Sequence, residues 1–259
     1  MQIHTLIENT TARPDLTAEH GLSLYIETGS HRILFDTGKS AAFADNAEKM
    51  GIDLSEADLC ILSHGHYDHG GGIARFLEIN SHAPVYLRQT AFDPHFSSGK
   101  YIGLDPALEG EPRLQVLSGD STLAPGIRLC SMPLHHNPYP FGTFGQTVLR
   151  EGISRQEDYT HEQYLLIEEA GRSICISGCS HRGVLNILSC FRPDVFIGGF
   201  HFIRMDPQGP ELQAAARQLL TYPTRYYTGH CTGQEQYTVL KSILGPRLSC
   251  LSTGNTLTL

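Results

Sequence analysis

The feature that most constrains the fold of this chain is the stretch 63–72, which reads Ser-His-Gly-His-Tyr-Asp-His-Gly-Gly-Gly. An apolar run comes directly before it and a helix-forming run begins directly after it. The pattern therefore predicts a buried strand, a turn and the start of a helix. The turn carries four side chains of the types that bind metal ions: His64, His66, Asp68 and His69. We expect the fold to be organised around a metal site at this turn. Residues 63–72 are called the metal turn from here on.

The spacing of these four residues suits metal binding. His64 and His66 lie two residues apart, so on an extended segment both imidazoles project to the same side and can hold one ion. Asp68 and His69 follow where the chain begins to wind, within reach of a second ion or of the other flank of the first. Imidazole and carboxylate donors suit one or two divalent ions, with zinc as first choice and manganese or iron as alternatives. The other interpretation, a solvated His-rich loop, does not require this order of ligand types.

Glycines fill the gaps between the ligand-type residues, at Gly65 and at positions 70–72. Glycine adopts tight backbone paths, including left-handed ones, that other residues resist. We therefore expect a tight backbone path around the ion, and a left-handed conformation is open to these glycines.

The stretch resembles the His-x-His-x-Asp-His signature of the metallo-β-lactamase superfamily and matches it at all four ligand positions. The resemblance implies an α/β fold of the metallo-β-lactamase type, an αββα four-layer sandwich with a mono- or dinuclear metal centre at one edge. It also implies an activity that is usually hydrolytic. Such a signature is specific for the fold and says little about the substrate.

Length and composition are consistent with that fold. A chain of 259 residues can bury one sizeable core, and 40% hydrophobic with 18% charged residues is typical of a soluble globular protein. We expect a single metallo-β-lactamase-like domain over residues 1–259. The segments near 91–112 and 132–161 lack clear periodicity, and we interpret them as an irregular cap over the site.

Charge and cysteine content restrict the partners and the location. The formal net charge of −8 argues against binding to a nucleic-acid backbone. No run is apolar enough for a leader or a membrane span, so we expect a cytoplasmic protein with a small-molecule substrate and no membrane partner, and a homo-oligomer is left open. The seven cysteines are scattered without a Cys-x-x-Cys pair, which indicates reduced thiols.

The second half of the chain departs from the superfamily at residues 178–183, Gly-Cys-Ser-His-Arg-Gly. Most of the superfamily has Gly-Asp here, with the Asp bridging two metals, whereas this chain has Gly178 and Cys179. The departure leaves His181 as the group best placed to complete the metal site. Cys179 is a candidate thiolate ligand, and simple packing of a buried cysteine is the alternative.

Two further histidines follow predicted buried strands, His201 after Gly-Gly-Phe and His230 after Tyr-Thr-Gly. Alternation of strands and helices places both at neighbouring strand ends that face the metal turn. By resemblance the last metal ligand is such a His, so His230 takes that role. We assign His201 to catalysis as a hydrogen-bond donor or proton shuttle, alongside Asp68 as the group that orients the nucleophile.

Two more positions follow from the resemblance. The superfamily often closes the strand before the metal turn with Asp-x-Gly, whose carboxylate orients ligands, and Asp36 matches; a plain turn residue is the equal alternative. The superfamily also supplies a His before the hairpin that precedes Cys179, and here the candidates are Glu162, His161 and His135, in that order.

Three residues are candidates for substrate binding. Arg182, near a predicted helix start, suits an anionic group. His135 lies in a segment rich in proline and aromatic residues that we interpret as a pocket rim, with an exposed loop as the alternative. Phe200 belongs to the Gly-Gly-Phe-His motif and is assigned to the same pocket.

Taken together, these motifs resemble one branch of the superfamily, the 7,8-dihydropterin-6-yl-methyl-4-(β-D-ribofuranosyl)aminobenzene-5'-phosphate synthase-like proteins. The resemblance extends from Leu22 to about Leu251. The first hypothesis is a hydrolase that uses a metal-activated water on a small phosphorylated or ester substrate. The alternatives are a transferase that joins a dihydropterin methyl pyrophosphate to an aminobenzene ribofuranoside phosphate, and a non-enzymatic metal or redox sensor.

Overall fold

A computed structural model describes all residues, 1–259, as a mixed α/β chain with several sheets. The strands are β1 (Gln2–Ile7), β2 (Ser23–Glu27), β3 (Arg32–Phe35), β4 (Leu59–Ile61), β5 (Val85–Arg88), β6 (His95–Ser97), β7 (Lys100–Tyr101), β8 (Leu114–Leu117), β9 (Ser121–Ala124), β10 (Ile127–Cys130), β11 (Gln146–Arg150), β12 (Ile153–Gln156), β13 (Tyr164–Glu169), β14 (Arg172–Ile176), β15 (Val195–Ile197), β16 (Arg225–Thr228), β17 (Leu248–Cys250) and β18 (Thr256–Thr258). The α-helices are α1 (Ala42–Lys49), α2 (Tyr67–Gly70), α3 (Ile73–Ile79), α4 (Val184–Phe191), α5 (Pro210–Leu220) and α6 (Gln234–Leu244). No helix is long and apolar enough to cross a membrane.

The chain divides into two compact units. The first unit comprises Met1–Gly119, Thr143–Gln163 and Ser252–Leu259, and the second comprises Asp120–Gly142 and Tyr164–Leu251. The prediction of a single domain with a cap is not tested by this division and stays a prediction.

The main sheet of the first unit has seven strands in the order β18-β1-β2-β3-β4-β5-β8. Strands β3, β4, β5 and β8 are parallel, and the remaining pairs are antiparallel. All three residues of β4 are buried, which explains its continuous apolar sequence. Because β3 and β4 are parallel neighbours, Asp36 and the turn that begins at Ser63 leave the sheet at the same edge.

The two segments predicted to be irregular contain a second sheet of the first unit. Its order is β12-β11-β6-β7, and β6 pairs with β11 so that His95 lies opposite Val148. Arg150 reinforces this sheet, because its guanidinium donates to Asp93 and to Asp158, each at 2.5 Å. Sequence periodicity missed these strands because they are short, and half-buried or exposed over most of their length.

The sheet of the second unit has seven strands in the order β17-β16-β15-β14-β13-β10-β9. Strands β14 to β17 are parallel, whereas β14, β13, β10 and β9 pair antiparallel. An apolar core packs α4, α5 and α6 on this sheet. Helix α5 begins at a proline, a residue suited to the first turn of a helix.

Candidate metal centre

The four ligand-type residues of the metal turn are brought together in the first unit. His64 and His69 are fully buried, and His66 and Asp68 are 3% and 9% exposed. Helix α2 carries Asp68 and His69 directly after His66, which is its N-cap residue. The ring centroid of His64 lies 4.6 Å from that of His66 and 4.2 Å from that of His69. Three buried imidazoles this close to one another are typical of a metal site.

Asp36 connects two of these histidines through a chain of hydrogen bonds. Its carboxylate accepts from the backbone N–H and from the hydroxyl of Ser63, each at 2.7 Å, and from Nδ1 of His69 at 2.7 Å. The hydroxyl of Ser63 also lies 2.8 Å from Nδ1 of His64. Because this hydroxyl donates to Asp36, it must accept from Nδ1–H of His64.

The same chain of bonds fixes the tautomers of His64 and His69. Both rings carry their proton on Nδ1, so Nε2 is the nitrogen that each can present to an ion. Asp36 is thus placed to orient both rings, and its role beside a metal ion stays a prediction. Its φ of 58° is a left-handed conformation uncommon outside glycine, which the surrounding hydrogen bonds hold in place.

Burial and neighbouring charges shift the pKa values of two histidines in the turn in opposite directions. For His69, burial acts to lower the pKa, but the charge and the hydrogen bond of Asp36 outweigh it and raise the pKa above 6.5. For His66, burial and then the neighbouring His161 hold the pKa well below 6.5, against the opposing effect of Asp68. A neutral His66 is the form that can bind a metal.

The glycines of the turn allow the tight backbone path that was predicted, and of the two conformations left open they do not adopt the left-handed one. None of the four, at positions 65 and 70–72, has a positive φ. A Cβ on Gly65 would lie 2.1 Å from the carbonyl oxygen of Ala91, and one on Gly71 would lie 2.4 Å from that of Lys39. Close backbone approach, not handedness, requires glycine at these positions.

Sequence reasoning missed His20, which the structure places beside the metal turn. Its Nε2 lies 3.2 Å from Oδ2 of Asp68, and its side chain is half exposed. The next residue, Gly21, packs so closely that a Cβ would lie 2.5 Å from the carbonyl oxygen of Asp68. A single His in a polar loop has no spacing pattern that could have identified it.

Three buried residues of the irregular segments also reach the metal turn: His95, Glu157 and His161. The rings of His95 and His161 lie 5.5 Å and 5.1 Å from the ring of His66. His161 was a predicted ligand candidate, whereas His95 and Glu157 were not named. Glu162 is 2% exposed and stays a candidate for the metal or its surroundings.

The second unit places His181, His201 and His230 at one edge of its sheet. They follow β14, β15 and β16, which are parallel neighbours, so the three residues leave the sheet at its carboxyl edge as predicted for His201 and His230. The rings of His181 and His201 are 4.3 Å apart. His201 and His230 have φ of 57° and 48°, a strained conformation that often marks functional sites. Their roles as metal or catalytic residues stay predictions.

Hydrogen bonds join the two turns that carry His201 and His230. The hydroxyl of Thr228 donates to the carbonyl of Gly198 at 2.8 Å, and it lies 2.6 Å from the hydroxyl of Thr232. The hydroxyl of Thr232 in turn accepts from the backbone N–H of Phe200 at 2.9 Å. These contacts hold both histidines on a fixed backbone.

Cys179 lies within the same edge of the second unit. It is 3% exposed, and its carbonyl accepts a 3.4 Å contact from the thiol of Cys231. A Cβ on Gly199 would lie 2.3 Å from the sulfur of Cys231, so the three segments pack tightly. Close packing accounts for the burial of both thiols and leaves a thiolate role for Cys179 as a prediction.

The three predicted substrate-binding residues have different surroundings. The guanidinium of Arg182 is buried and donates to carbonyls of Met132 and Pro133, so it anchors a loop. Phe200 is 1% exposed and packs edge to face with Tyr226 in the core. Only His135 is exposed, in the loop that Arg182 anchors. Anchoring and core packing account for Arg182 and Phe200, and substrate contact by any of the three stays a prediction.

Comparison with known proteins identifies the class. The family model of the metallo-beta-lactamase superfamily matches residues 16–142. A crystal structure of a metal-dependent hydrolase of the β-lactamase superfamily is 28% identical, with a TM-score of 0.85 over 100% of this chain and 99% of the other. The chain belongs to the metallo-β-lactamase superfamily, and the fold class predicted from its signature is confirmed.

The relatives also agree with the predicted branch. The 7,8-dihydropterin-6-methyl-4-(beta-D-ribofuranosyl)-aminobenzene-5'-phosphate synthase of Methanocaldococcus jannaschii is 30% identical over an alignment that covers 90% of this chain and 88% of the relative. The Zn²⁺-bound PqqB of Methylobacterium extorquens is 13% identical with a TM-score of 0.57, a likeness of fold alone.

The divalent ion that this superfamily implies fits the residues of the metal turn. The donors are imidazole nitrogens and a carboxylate, and the bonds of Asp36 and Ser63 aim Nε2 of His64 and His69 away from the hydrogen-bonded side. Hydrogen bonds of this kind to the second ring nitrogen are a regular feature of metal-binding histidines.

Proposed function

We propose that this protein is a metal-dependent hydrolase that acts on a small phosphorylated or ester substrate. The observation that carries the proposal is the bonded set Asp36, Ser63, His64 and His69, in which each imidazole is held in the tautomer that binds a metal through Nε2. A bound divalent ion, with zinc as first choice, supplies a nucleophile from water near neutral pH and polarises the substrate oxygen.

The protein residues have distinct roles in this proposal. His64, His66 and His69 hold the ions with Asp68, and His181 and His230 complete the ligand set. Asp68 also orients the nucleophile. His201 donates a proton or a hydrogen bond to the substrate, a role that its neighbouring ring His181 and its rigid turn support.

The second candidate function is the transferase reaction. It is favoured by the identity of 30% over 90% of the chain to the M. jannaschii synthase. In that reaction an aromatic amine displaces pyrophosphate from a dihydropterin methyl carbon, and the metal ligands would hold the leaving group through the ion. The two functions share the ligand set and differ in whether water is consumed.

A substrate panel separates the two functions. Zinc-, manganese- and iron-loaded protein is assayed with a phosphodiester, a phosphomonoester and a carboxylic ester, and separately with dihydropterin methyl pyrophosphate plus the aminobenzene ribofuranoside phosphate. The proposal predicts turnover of one of the esters that His66→Ala reduces at least about 1,000-fold, because a ligand of the ion is lost. The partly exposed His31, between β2 and β3, provides the matched control His31→Ala, which should leave the rate unchanged.

The outcome assigns the function directly. If no ester is turned over by any metal form while the pterin pyrophosphate is consumed with formation of the coupled product, the hydrolase proposal is wrong and the transferase is correct. If His66→Ala retains the ester turnover, the activity does not belong to this site.

A further inference from the structure

Beneath the metal turn, the first unit contains a buried chain of polar side chains formed by His161, Glu157 and His95. All three lie at 3% exposure or less. Their donor types, together with His66, are those of a metal site, and their ligand atoms lie within 4.8 Å of one another. The directions of the hydrogen bonds decide whether the group can hold an ion.

The backbone of the metal turn determines the tautomer of His161. The N–H of Gly65 points at Nδ1 of His161 at 2.8 Å, and because an N–H can only donate, Nδ1 is the unprotonated acceptor. A ring whose Nδ1 accepts a hydrogen bond carries its proton on Nε2. That proton faces Oε1 of Glu157 at 3.6 Å. His161 thus has no lone pair left for an ion.

Glu157 is satisfied on both oxygens. Oε1 accepts from the backbone N–H groups of Asp158 at 3.2 Å and Tyr159 at 3.1 Å, and Oε2 lies 2.7 Å from Nδ1 of His95. Both oxygens of Glu157 are therefore engaged by donors of the protein, and Oε2 accepts from His95.

His95 is placed as a donor through both ring nitrogens. Nδ1 donates to the carboxylate of Glu157, and Nε2 faces the carbonyl oxygen of Thr90 at 3.3 Å. With both ring nitrogens facing acceptor oxygens, His95 presents no lone pair to an ion. Of the four residues, only His66 retains metal-binding capacity.

The chain of contacts joins the second sheet of the first unit to the metal turn at two points. At one end, His95 lies on β6, and the N–H of Glu157 donates to the carbonyl of Gln146 on β11 at 3.1 Å. At the other end, His161 holds the backbone between His64 and His66. The rings of His161 and His95 also pack against the ring of His66, which restricts its rotation.

We propose that His161, Glu157 and His95 form a positioning relay that fixes Gly65 and the ring of His66 for metal binding, and that the relay itself binds no ion. The proposal rests on the metal centre of the proposed function, but not on the reaction that the centre catalyses. His161 acts through an acceptor atom at its Nδ1 position, and Glu157 and His95 hold that ring in place.

Two substitutions of His161 isolate the acceptor atom. In His161→Asn, the amide oxygen can occupy the position of Nδ1 and accept from Gly65, whereas His161→Ala leaves that buried N–H without a partner. Zinc affinity is measured by chelator competition, and ions per chain by elemental analysis. The alanine variant should bind zinc about 10- to 100-fold more weakly, the range for loss of a group that orients a ligand, and the asparagine variant should recover most of that loss. The number of ions bound at saturation should not change.

A control separates positioning from general loss of stability. Asn80 is a buried side chain of the same unit whose amide donates to the carbonyls of Leu54 and Ala57, away from the metal turn. Asn80→Ala should lower thermal stability while leaving zinc affinity within about 3-fold of the wild type, because it removes buried hydrogen bonds of the same kind elsewhere. Glu157→Gln, which keeps the shape of the side chain, replaces the alanine variant if that variant does not fold, and should weaken zinc binding in the same direction.

The zinc measurements test the positioning role independently of any catalytic activity. Equal zinc affinity of wild type and His161→Ala, or equal weakening in the asparagine and alanine variants, overturns the positioning role. Loss of one ion per chain in Glu157→Gln or His161→Asn overturns it as well, and identifies the cluster as a metal site. An absence of hydrolysis refutes only the proposed function, because the zinc measurements do not depend on turnover.

Discussion

Oδ2 of Asp36 accepts a hydrogen bond from Nδ1 of His69 at 2.7 Å, and both side chains are fully buried. The two residues come from different segments, one at the end of β3 and the other on α2, so the bond closes the metal turn onto the sheet. The same carboxylate acts on His64 through Ser63. One residue thus orients two of the predicted ligands.

Replacement of Asp36 by asparagine should therefore weaken metal binding. Its carboxylate accepts three hydrogen bonds, two from Ser63 and one from His69. In asparagine the NH₂ group would replace one of the accepting oxygens and would point a second donor at one of these donors. We expect zinc affinity to fall about 10- to 100-fold, measured by chelator competition. Asp58→Asn is the control, because that exposed carboxylate accepts from the backbone of Arg32 outside the site. Equal effects of the two substitutions would contradict the orienting role.

Metal affinity should also depend on pH through His69. Asp36 raises the pKa of His69 above 6.5, so in metal-free protein the ring is protonated at pH 6.5 and an ion must displace that proton. The apparent zinc affinity should fall up to about 10-fold per pH unit as the pH decreases below the raised pKa, and should level off above it. Isothermal titration between pH 5.5 and 8.5 measures this, and an affinity independent of pH below 6.5 would refute it.

Acid should destabilise the metal-free protein through His161. Its pKa is about 4 in the folded protein against 6.5 in the unfolded chain, so the unfolded chain binds the proton more tightly. The contribution of neutral His161 to the free energy of unfolding is therefore fully present above pH 6.5. It is lost as the pH falls from 6.5 towards 4, which lowers the free energy of unfolding by about 3 kcal/mol. Urea unfolding in the presence of a chelator tests this. His161→Asn, which has no titrating ring, should show a smaller loss over the same range, and an unchanged loss would exclude His161 as the cause.

Gly65 tolerates no side chain because of the carbonyl of Ala91. A Cβ would lie 2.1 Å from that oxygen, and both segments are buried, so neither can move freely. Gly65→Ala should destabilise the protein by about 3 kcal/mol or more, whereas Gly119→Ala, with open space around its Cα, should stay within about 0.5 kcal/mol of the wild type. Urea unfolding of the two variants compares them directly. A mild effect of Gly65→Ala would show that the turn can relax.

Local pattern was sufficient to predict the parts of the site that are continuous in sequence. The metal turn follows a buried strand directly and combines closely spaced ligand-type residues and glycines in ten residues. Its local sequence is therefore sufficient to predict its local structure. The positions of His201 and His230 followed from the rule that parallel strands present their carboxyl ends at one edge. Asp36 matched the resemblance with a plain turn residue as the equal alternative, because sequence alone does not show the contacts of its carboxylate with Ser63 and His69.

The residues that were missed depend on contacts between distant segments. His95 and Glu157 are 62 positions apart and meet because β6 pairs with β11, a pairing between two short strands without alternation of apolar residues. His20 lies in a polar loop and contacts the side chain of Asp68. The loop passes close to Asp68 because Gly21 packs against the backbone carbonyl of that residue. Periodicity and spacing report only on neighbours in sequence, so these contacts could not be predicted from them.

The structure also changes the interpretation of residues that composition had marked as functional. Arg182 was selected for its charge, yet its guanidinium is buried against carbonyls of the Met132 loop. Phe200 was selected for its motif, yet it packs in the core beside Phe196 and Tyr226. A residue type suited to a substrate is equally suited to anchoring a loop or filling a core, and only the contacts distinguish these roles.

The most direct test of the hydrolase proposal is the fate of oxygen from water. Zinc-loaded protein is incubated with a phosphodiester or carboxylic ester in water enriched in oxygen-18, and the products are analysed by mass spectrometry. The proposal predicts one oxygen-18 atom in the acid product per turnover, with no such product from metal-free protein or from His66→Ala. Absence of labelled product with every ester and metal form, while dihydropterin methyl pyrophosphate is coupled to the aromatic amine, would contradict the proposal.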